Sequence, residues 1–553
     1  MYNDTERIAP GAEPLLSLPS KPWRLAVLVP GLGSRIEQWA SLRARLAIED
    51  DFGDGNVVWL NFEESTGIVI PPLEALATRL RGRVDAEWAK HGEFNDVVLI
   101  GHSLGGLVAR QAYLQAAGAV RGEPGSEWAS HVSRIVLFAS INRGVDLARI
   151  PLGNFFVWVT RKILFFPHFW MMDVIRGSNF LTNLRINWIR HFGRLVKGQE
   201  ASECWPDGRL KRPPLVVQLL GEQDGVVSPD DSKDVLAFPS GHYLLVPDAN
   251  HRNLHRFDQA RDLEGRYAIL RRAFVEDFAD NPTKQSAVRR VVFLLHGIRA
   301  SNIDTWIEEL KKLVIERDGE HTAVRHPTYG YFTAARFALP SVRRKNITKF
   351  QDWYTEALAE CPTAEFNIIA HSNGTYILGQ SLRHTPGMHF VNVILAGSVL
   401  PTHFPWDQLK GQVGRVRNDR ANRDWPVALL CNALRGLCMW DIGTGGFAGF
   451  EGDETLEVAY YNGDHGEVLR PVYQAALVDF IFGGDLVRPK NLANSPGFYR
   501  QLSNAMPYFA VLLVMAILTG MGCLIFQNGE FHPYWLLSSV LAIIVVYALL
   551  DIL

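Results

Sequence analysis

Three observations predict an α/β chain of two tandem domains, each a mainly parallel sheet covered by helices on both faces, followed by a C-terminal two-helix transmembrane hairpin. Continuous apolar strand-like runs alternate with helical patterns, as in sheets buried on both faces. The plan occurs twice: VVLIGHSLGGLVAR at 97 to 110 returns as NIIAHSNGTYIL at 367 to 378, each an apolar run, His-Ser, a small-residue turn and a helical pattern. Two long apolar stretches then close the chain.

At 553 residues the chain is too long for one core and should divide. Its net charge of −2, with no long basic run, argues against nucleic acid as a partner. The cysteines, Cys204, Cys361, Cys431, Cys438 and Cys523, are odd in number and show no C-x-x-C pair. Neither a disulfide framework nor a zinc site is expected, and a reducing compartment fits. The N-terminal MYNDTERIAPGAEP is polar and acidic, without the apolar region of a secretory signal.

The first copy opens on the strand WRLAVLVPGLG (23 to 33), which runs into a Gly-rich turn. The strand VVWLNFE (57 to 63) and a helix from Pro72 to Lys90 follow. Next come VVLIGH, the turn at Ser103 and a helix from Gly105. Later strands are RIVLFAS (134 to 140), PLVVQLLG (214 to 221) and HYLLVPD (242 to 248). The polar linker ADNPTKQSAVR (279 to 289) leads to the second copy. This carries the strand RVVFLLHG (290 to 297), a helix from Thr305 to Arg317, the strand FNIIAH, a turn at Ser372 and the strand VNVILAG (391 to 397). The turn serines are 269 residues apart and the glycine turns at 31 and 297 are 266 apart, the near-constant offset of a duplication. The expected domains are 1–280, with an apolar cap inserted at about 145–212, then 281–500, then the hairpin at 505–553.

Gly101-His102-Ser103-Leu104-Gly105 fits G-x-S-x-G between a strand and a helix. Such a tight turn needs small flanking residues and lifts the serine hydroxyl above the sheet. A serine becomes a nucleophile only when a histidine takes its proton and a carboxylate orients that histidine. Asp224, just past one strand, and His251, just past the next, are loop residues in the required order. Asp230 and Asp231 resemble a solvated helix start; His242 precedes its strand and His255 falls in the following helix. His251 and His255 are four apart, but without the glutamate of H-E-x-x-H or a third ligand they predict no metal. The amides of Leu32 and Leu104 are candidate oxyanion donors.

VPGLG at 29 to 33, GHSLGGLVAR at 101 to 110, ASINRG at 139 to 144 and IRGSNFLTNL at 175 to 184 resemble the α/β-hydrolase superfamily. Within it they resemble the lipase branch that includes lecithin–cholesterol acyltransferase and GPI inositol deacylase. The resemblance covers most of residues 20 to 280 and implies an acyl-ester substrate without choosing one. IPLGNFFVWVTRKILFFPHFWMMDVI, within the insertion, suits an apolar cap over the serine, extra core, or a membrane-facing surface through Arg161 and Lys162.

The second copy has Ala370-His371-Ser372-Asn373-Gly374, with alanine in the first glycine's place. Ile298 and Asn373 are its candidate oxyanion amides. Asp419 and Asp424 both qualify as the acid; the spacing Asp424 to Val427 matches Asp224 to Val227, which favours Asp424. His465, in a Gly-flanked loop, is the candidate base. This copy also resembles an α/β-hydrolase, over roughly 288 to 480, either as a second site or as a regulatory copy. DIGTGGFAGFEGDE (441 to 454) lacks G-K-[ST], so it is no phosphate loop and reads as a flexible one.

Met506 to Phe526 and Pro533 to Leu553 each have about the length of a membrane span. Arg488, Lys490 and Arg500 precede them, which places the domains on the cytoplasmic side. The expectation is a membrane-anchored serine hydrolase of lipid or other acyl esters that needs no cofactor. The contrasting expectation is a membrane-perturbing effector whose hairpin packs into homo-oligomers through Thr519, Gly520 and Gly522.

Overall fold

The computed structural model describes residues 23–525, apart from 54, 65–70, 93, 121, 145–170, 201–211, 230, 232–239, 257, 259, 280–286, 299–304, 329–333, 490–491 and 494–495. Among these, residues 23–141 and 212–279 form one compact unit, and 142–197 with 287–525 form another.

The first unit is built on a six-stranded parallel sheet in the order β2-β1-β3-β4-β5-β6. Its strands are β1 (Arg24–Val29), β2 (Val57–Asn61), β3 (Asp96–His102), β4 (Val132–Phe138), β5 (Leu215–Gly221) and β6 (Gly241–Val246). β1 and β3 are buried along their whole length, which explains their unbroken apolar sequence. The helix Leu73–His91 buries Leu73, Leu76, Ala77, Leu80, Val84 and Trp88, spaced as one helical face. The helix Leu104–Ala116, directly after the serine, is buried on every side.

The second unit repeats this order. Its strands are β7 (Arg290–Leu295), β8 (Thr322–Arg325), β9 (Glu365–His371), β10 (Phe390–Ala396), β11 (Val413–Ala421) and β12 (Thr455–Tyr461). They pair in parallel as β8-β7-β9-β10-β11-β12, which is the first unit's order position for position. Sequence patterning gave no signal for β8, only four residues long, or for β11, whose GRVRNDR is charged. β11 tolerates charge because Arg417 is paired with Asp419 inside the core, at 2.8 and 3.0 Å, and Tyr461 hydrogen bonds to both.

Two expectations are corrected. The helix Asn179–Glu200, expected within the first domain's cap, packs in the second unit. Arg185 there bonds Asp352 at 3.0 Å, Arg190 bonds the Tyr354 hydroxyl at 3.1 Å, and Trp188, Ile189 and Phe192 are buried. Burial of side chains this large contributes about 1.5–3 kcal/mol each, enough to decide where the helix docks. The rest of the expected cap, including Arg161 and Lys162, lies outside the described residues. The glycine-rich 441–454 stretch is not a loose loop at its centre. Gly443, Gly445 and Gly446 donate their amides to Val399, Leu400 and Ser398, and Ile442 and Phe447 are buried.

The helix Phe498–Ile525 continues beyond the second sheet. Its Phe498–Gly520 part is the one helix among the described residues long and apolar enough, by length and composition, to cross a membrane. The second expected span, Pro533 to Leu553, lies outside the described residues.

Candidate functional site

In the first unit β3 delivers the chain into a turn at Ser103, whose φ of 51° and ψ of −118° lie outside the regions non-glycine residues favour. The Ser103 amide donates to the Phe138 carbonyl at 2.8 Å, so β4 holds the turn in place. Strain at a serine directly before a buried helix is what an exposed nucleophile requires.

Two loops at the carboxyl ends of β5 and β6 bring the partners in. Ser103 Oγ lies 2.9 Å from His251 Nε2, and His251 Nδ1 donates to Asp224 Oδ2 at 3.0 Å. The Asp224 Oδ1 atom accepts amides from Val226 (2.8 Å) and Val227 (2.9 Å). Burial pushes the Asp224 carboxyl up, but the hydrogen bonds from His251, Val227 and Val226 outweigh it and hold the pKa below the usual value. The His251 turn is closed by two asparagines. Asn250 Oδ1 accepts from the Arg252 and Asn253 amides, and Asn253 Oδ1 accepts from the Asn250 amide at 2.7 Å.

His102 is the site residue sequence reasoning overlooked. Its Nε2 donates to the backbone carbonyl of His251 at 2.9 Å, tying the main chain at His251 to the residue before Ser103. Burial pushes its pKa down to about 4, so it is a neutral donor at neutral pH. The recurrence of His before both serines, at 102 and 371, was the signal available. Leu104 begins the helix, so its N–H has no acceptor inside that helix. Leu32 sits in the turn after β1, 40% exposed, and a methyl on Gly31 would lie within 3.0 Å of His102 and Ser103, which shows how closely this turn meets the nucleophile.

The rejected alternatives sit elsewhere. His255 is stacked on Trp39 in the core, at 4.3 Å between ring centroids, and His242 stacks on Phe278. Asp231 is buried, and Asp230 lies outside the described residues. No cluster of metal-ligating side chains occurs among the described residues.

The second unit builds the same frame. Ser372 has φ 53° and ψ −121°, and its amide donates to the Ala396 carbonyl at 3.0 Å. His465 Nδ1 lies 2.9 Å from both carboxylate oxygens of Asp424, and the Val427 amide donates to Asp424 Oδ1 at 3.1 Å. Asp419 is occupied in the core by Arg417, which separates the two candidate acids. Burial opposes charge on His465, but Asp424 outweighs it and raises the pKa. His371 Nε2 donates to the His465 carbonyl at 3.2 Å, as His102 does to His251. Among the described residues no hydrogen bond joins Ser372 to His465. Ile298 is in the turn after β7 and Asn373 opens the helix Asn373–His384, so both candidate amides hold the places of Leu32 and Leu104.

The two units share the strand order, the positive-φ serine turn and the loop positions of the flanking carboxylate and histidine. Residues 26–264 match the model of the alpha/beta hydrolase family. Among solved structures, the chain is similar to the RedJ thioesterase of Streptomyces coelicolor (16% identity, TM-score 0.26, covering 48% of this chain and 90% of that one). It is also similar to a lipase-esterase related protein of Clostridium acetobutylicum (12% identity, TM-score 0.26, covering 46% and 96%). A third is the phospholipase PlaB of Legionella pneumophila (18% identity, TM-score 0.24, covering 36% and 39%). No curated protein matches the sequence.

Proposed function

We propose that the chain is a membrane-anchored serine hydrolase that cleaves carboxylic esters of lipids. Ser103 Oγ attacks the acyl carbonyl while His251 Nε2 takes its proton, and Asp224 stabilises the imidazolium that forms. The amides of Leu32 and Leu104 hold the tetrahedral oxyanion. As the intermediate collapses, His251 returns the proton to the departing alcohol. Water, deprotonated by the same imidazole, then releases the acid and restores the serine. The Ser103–His251–Asp224 chain, with links of 2.9 and 3.0 Å, is the observation that carries this reading.

In this reading Ser372, His465 and Asp424 form a second site, with Ile298 and Asn373 as its oxyanion donors. The helix Phe498–Ile525 is the first span of a hairpin completed by Pro533 to Leu553, with both units on the cytoplasmic side. A membrane anchor brings the enzyme to its substrate, which favours lipid esters and the lipase branch over water-soluble esters. The test is hydrolysis of a phospholipid and p-nitrophenyl ester chain-length series by the wild type, Ser103→Ala, Ser372→Ala and the double variant. The reading expects Ser103→Ala to abolish the main activity; equal rates for all four proteins would sink it.

A further inference from the structure

The second unit grips the apolar helix before that helix emerges. Asn432 Nδ2 donates to the Ser503 carbonyl at 2.7 Å, and Ser503 Oγ donates to the Ala428 carbonyl at 2.6 Å. Gly436 lies so close to Pro507 that a methyl there would sit 2.5 Å from the Pro507 carbonyl oxygen. Ala510 is the last buried residue among those described; Val511 to Leu518 include a run of large apolar side chains open to their surroundings. From Met506 to Ile525 the helix measures about 30 Å, the thickness of a bilayer's hydrocarbon core. Pro507, and with it Gly436, therefore falls at the level where a span enters the lipid.

The chain at that level is unusually apolar on its outside. Directly after Gly436, Leu437 is 39% exposed, Cys438 is exposed and Trp440 is 64% exposed. The turn is not a loose one. The Cys438 amide donates to Arg435, and the Met439 amide donates to Leu434. Asp441, at its base, is held by Arg343 at 3.2 Å and by the Tyr376 hydroxyl at 2.6 Å. A clamped turn with exposed Leu and Trp loses little conformational freedom on entering an apolar medium, and tryptophan favours the membrane–water interface.

We infer that Leu437, Cys438 and Trp440 form a second membrane contact, a rigid apolar tip that enters the phospholipid surface beside the helix. The inference rests on the proposed span.

The test uses the full chain in phosphatidylcholine vesicles, carrying the environment-sensitive NBD fluorophore on one exposed thiol. Cys361 and Cys431 are buried and are left in place. With Cys204→Ser and Cys523→Ser, the label goes on Cys438. With Cys204→Ser and Cys438→Ser, it goes on Cys523, inside the span. Lys312→Cys, on a side chain 77% exposed, provides the water-facing control when all three other thiols are replaced. The expected result is iodide quenching several-fold weaker at Cys438 than at Lys312→Cys, together with quenching at Cys438 by shallow doxyl-labelled phosphatidylcholine. If Cys438 is as open to iodide as the control while Cys523 is shielded, the tip contact is overturned and the span stands. If Cys523 is also open to iodide, the span reading fails and takes the tip contact with it.

Discussion

Around Ser103 the chain places Gly101 two residues before, Leu104 directly after and Gly106 three after; around Ser372 the same places hold Ala370, Asn373 and Thr375. In the first unit the turn closes by bare backbone contact, since a methyl on Gly101 would lie 2.5 Å from Gly106 Cα. In the second, a side chain does that work: Thr375 Oγ1 donates to the Ser372 carbonyl at 2.7 Å and accepts from the Val399 amide at 3.1 Å. The acid loops differ in the same spirit. Asp224 collects amides from both Val226 and Val227, whereas Pro426 has no N–H to offer Asp424 and only Val427 donates. Asn373 adds a buried side-chain amide with neither polar atom bonded, at the place of the apolar Leu104. The sheet order reproduces the frame, and the two turns differ in a few side chains and in the hydrogen bonds those side chains make.

The largest effect that would break this comparison is in nucleophile reactivity. Ser103 is hydrogen-bonded to His251, and among the described residues no such bond joins Ser372 to His465, so a fluorophosphonate probe should modify Ser103 faster by roughly 10²–10⁴-fold, the range general-base assistance supplies. Mass spectrometry of the labelled peptides over time measures it, and equal rates would make the difference in hydrogen bonding irrelevant.

A second difference appears on acidification. The depressed folded-state pKa of His102, about 4, means the unfolded chain takes up this proton first, near its ordinary value of about 6.5. Stability is therefore lost as pH falls from about 6.5 towards 4, by about 3 kcal/mol from this residue. His102→Gln keeps a donor near the His251 carbonyl without the titration and should flatten the first unit's denaturation midpoint across that window. The same slope in the variant would remove His102 from the account. His371, pushed down to about 3 chiefly by burial, should impose its own loss on the second unit.

The smallest effect is steric. Gly101→Ala should destabilise the first unit by about 1–3 kcal/mol, because the new methyl meets backbone that has to shift. Ala370→Gly should cost the second unit at most about 1 kcal/mol, the conformational penalty of glycine alone. Chemical denaturation of each variant compares them, and a harmless Gly101→Ala would mean the two turns are interchangeable.

Most of the frame was legible because the central strands are buried on both faces and therefore read as unbroken apolar runs. β11 was not, because its buried charges are neutralised by each other, a pairing visible only when Arg417 and Asp419 face the same core. Asp224, His251, Asp424 and His465 could be singled out as candidates because they fall in loops that follow expected strands. The choice between Asp419 and Asp424 rested on the spacing to Val427, and the amide of that valine is what caps the carboxylate. The role of His102 was hidden because its partner is a main-chain carbonyl, which no residue pattern announces.

The docking of Asn179–Glu200 has a consequence for synthesis as well as for architecture. Its partners, Asp352 and Tyr354, are made 167 and 164 residues after Arg185 and Arg190. At roughly 5–20 residues per second a ribosome takes on the order of ten seconds or more to reach them. Through that interval Arg185 and Arg190 wait for these partners, while β5 and β6 emerge and complete the first sheet. The nascent helix thus waits on partners that lie 164 to 167 residues further along the chain.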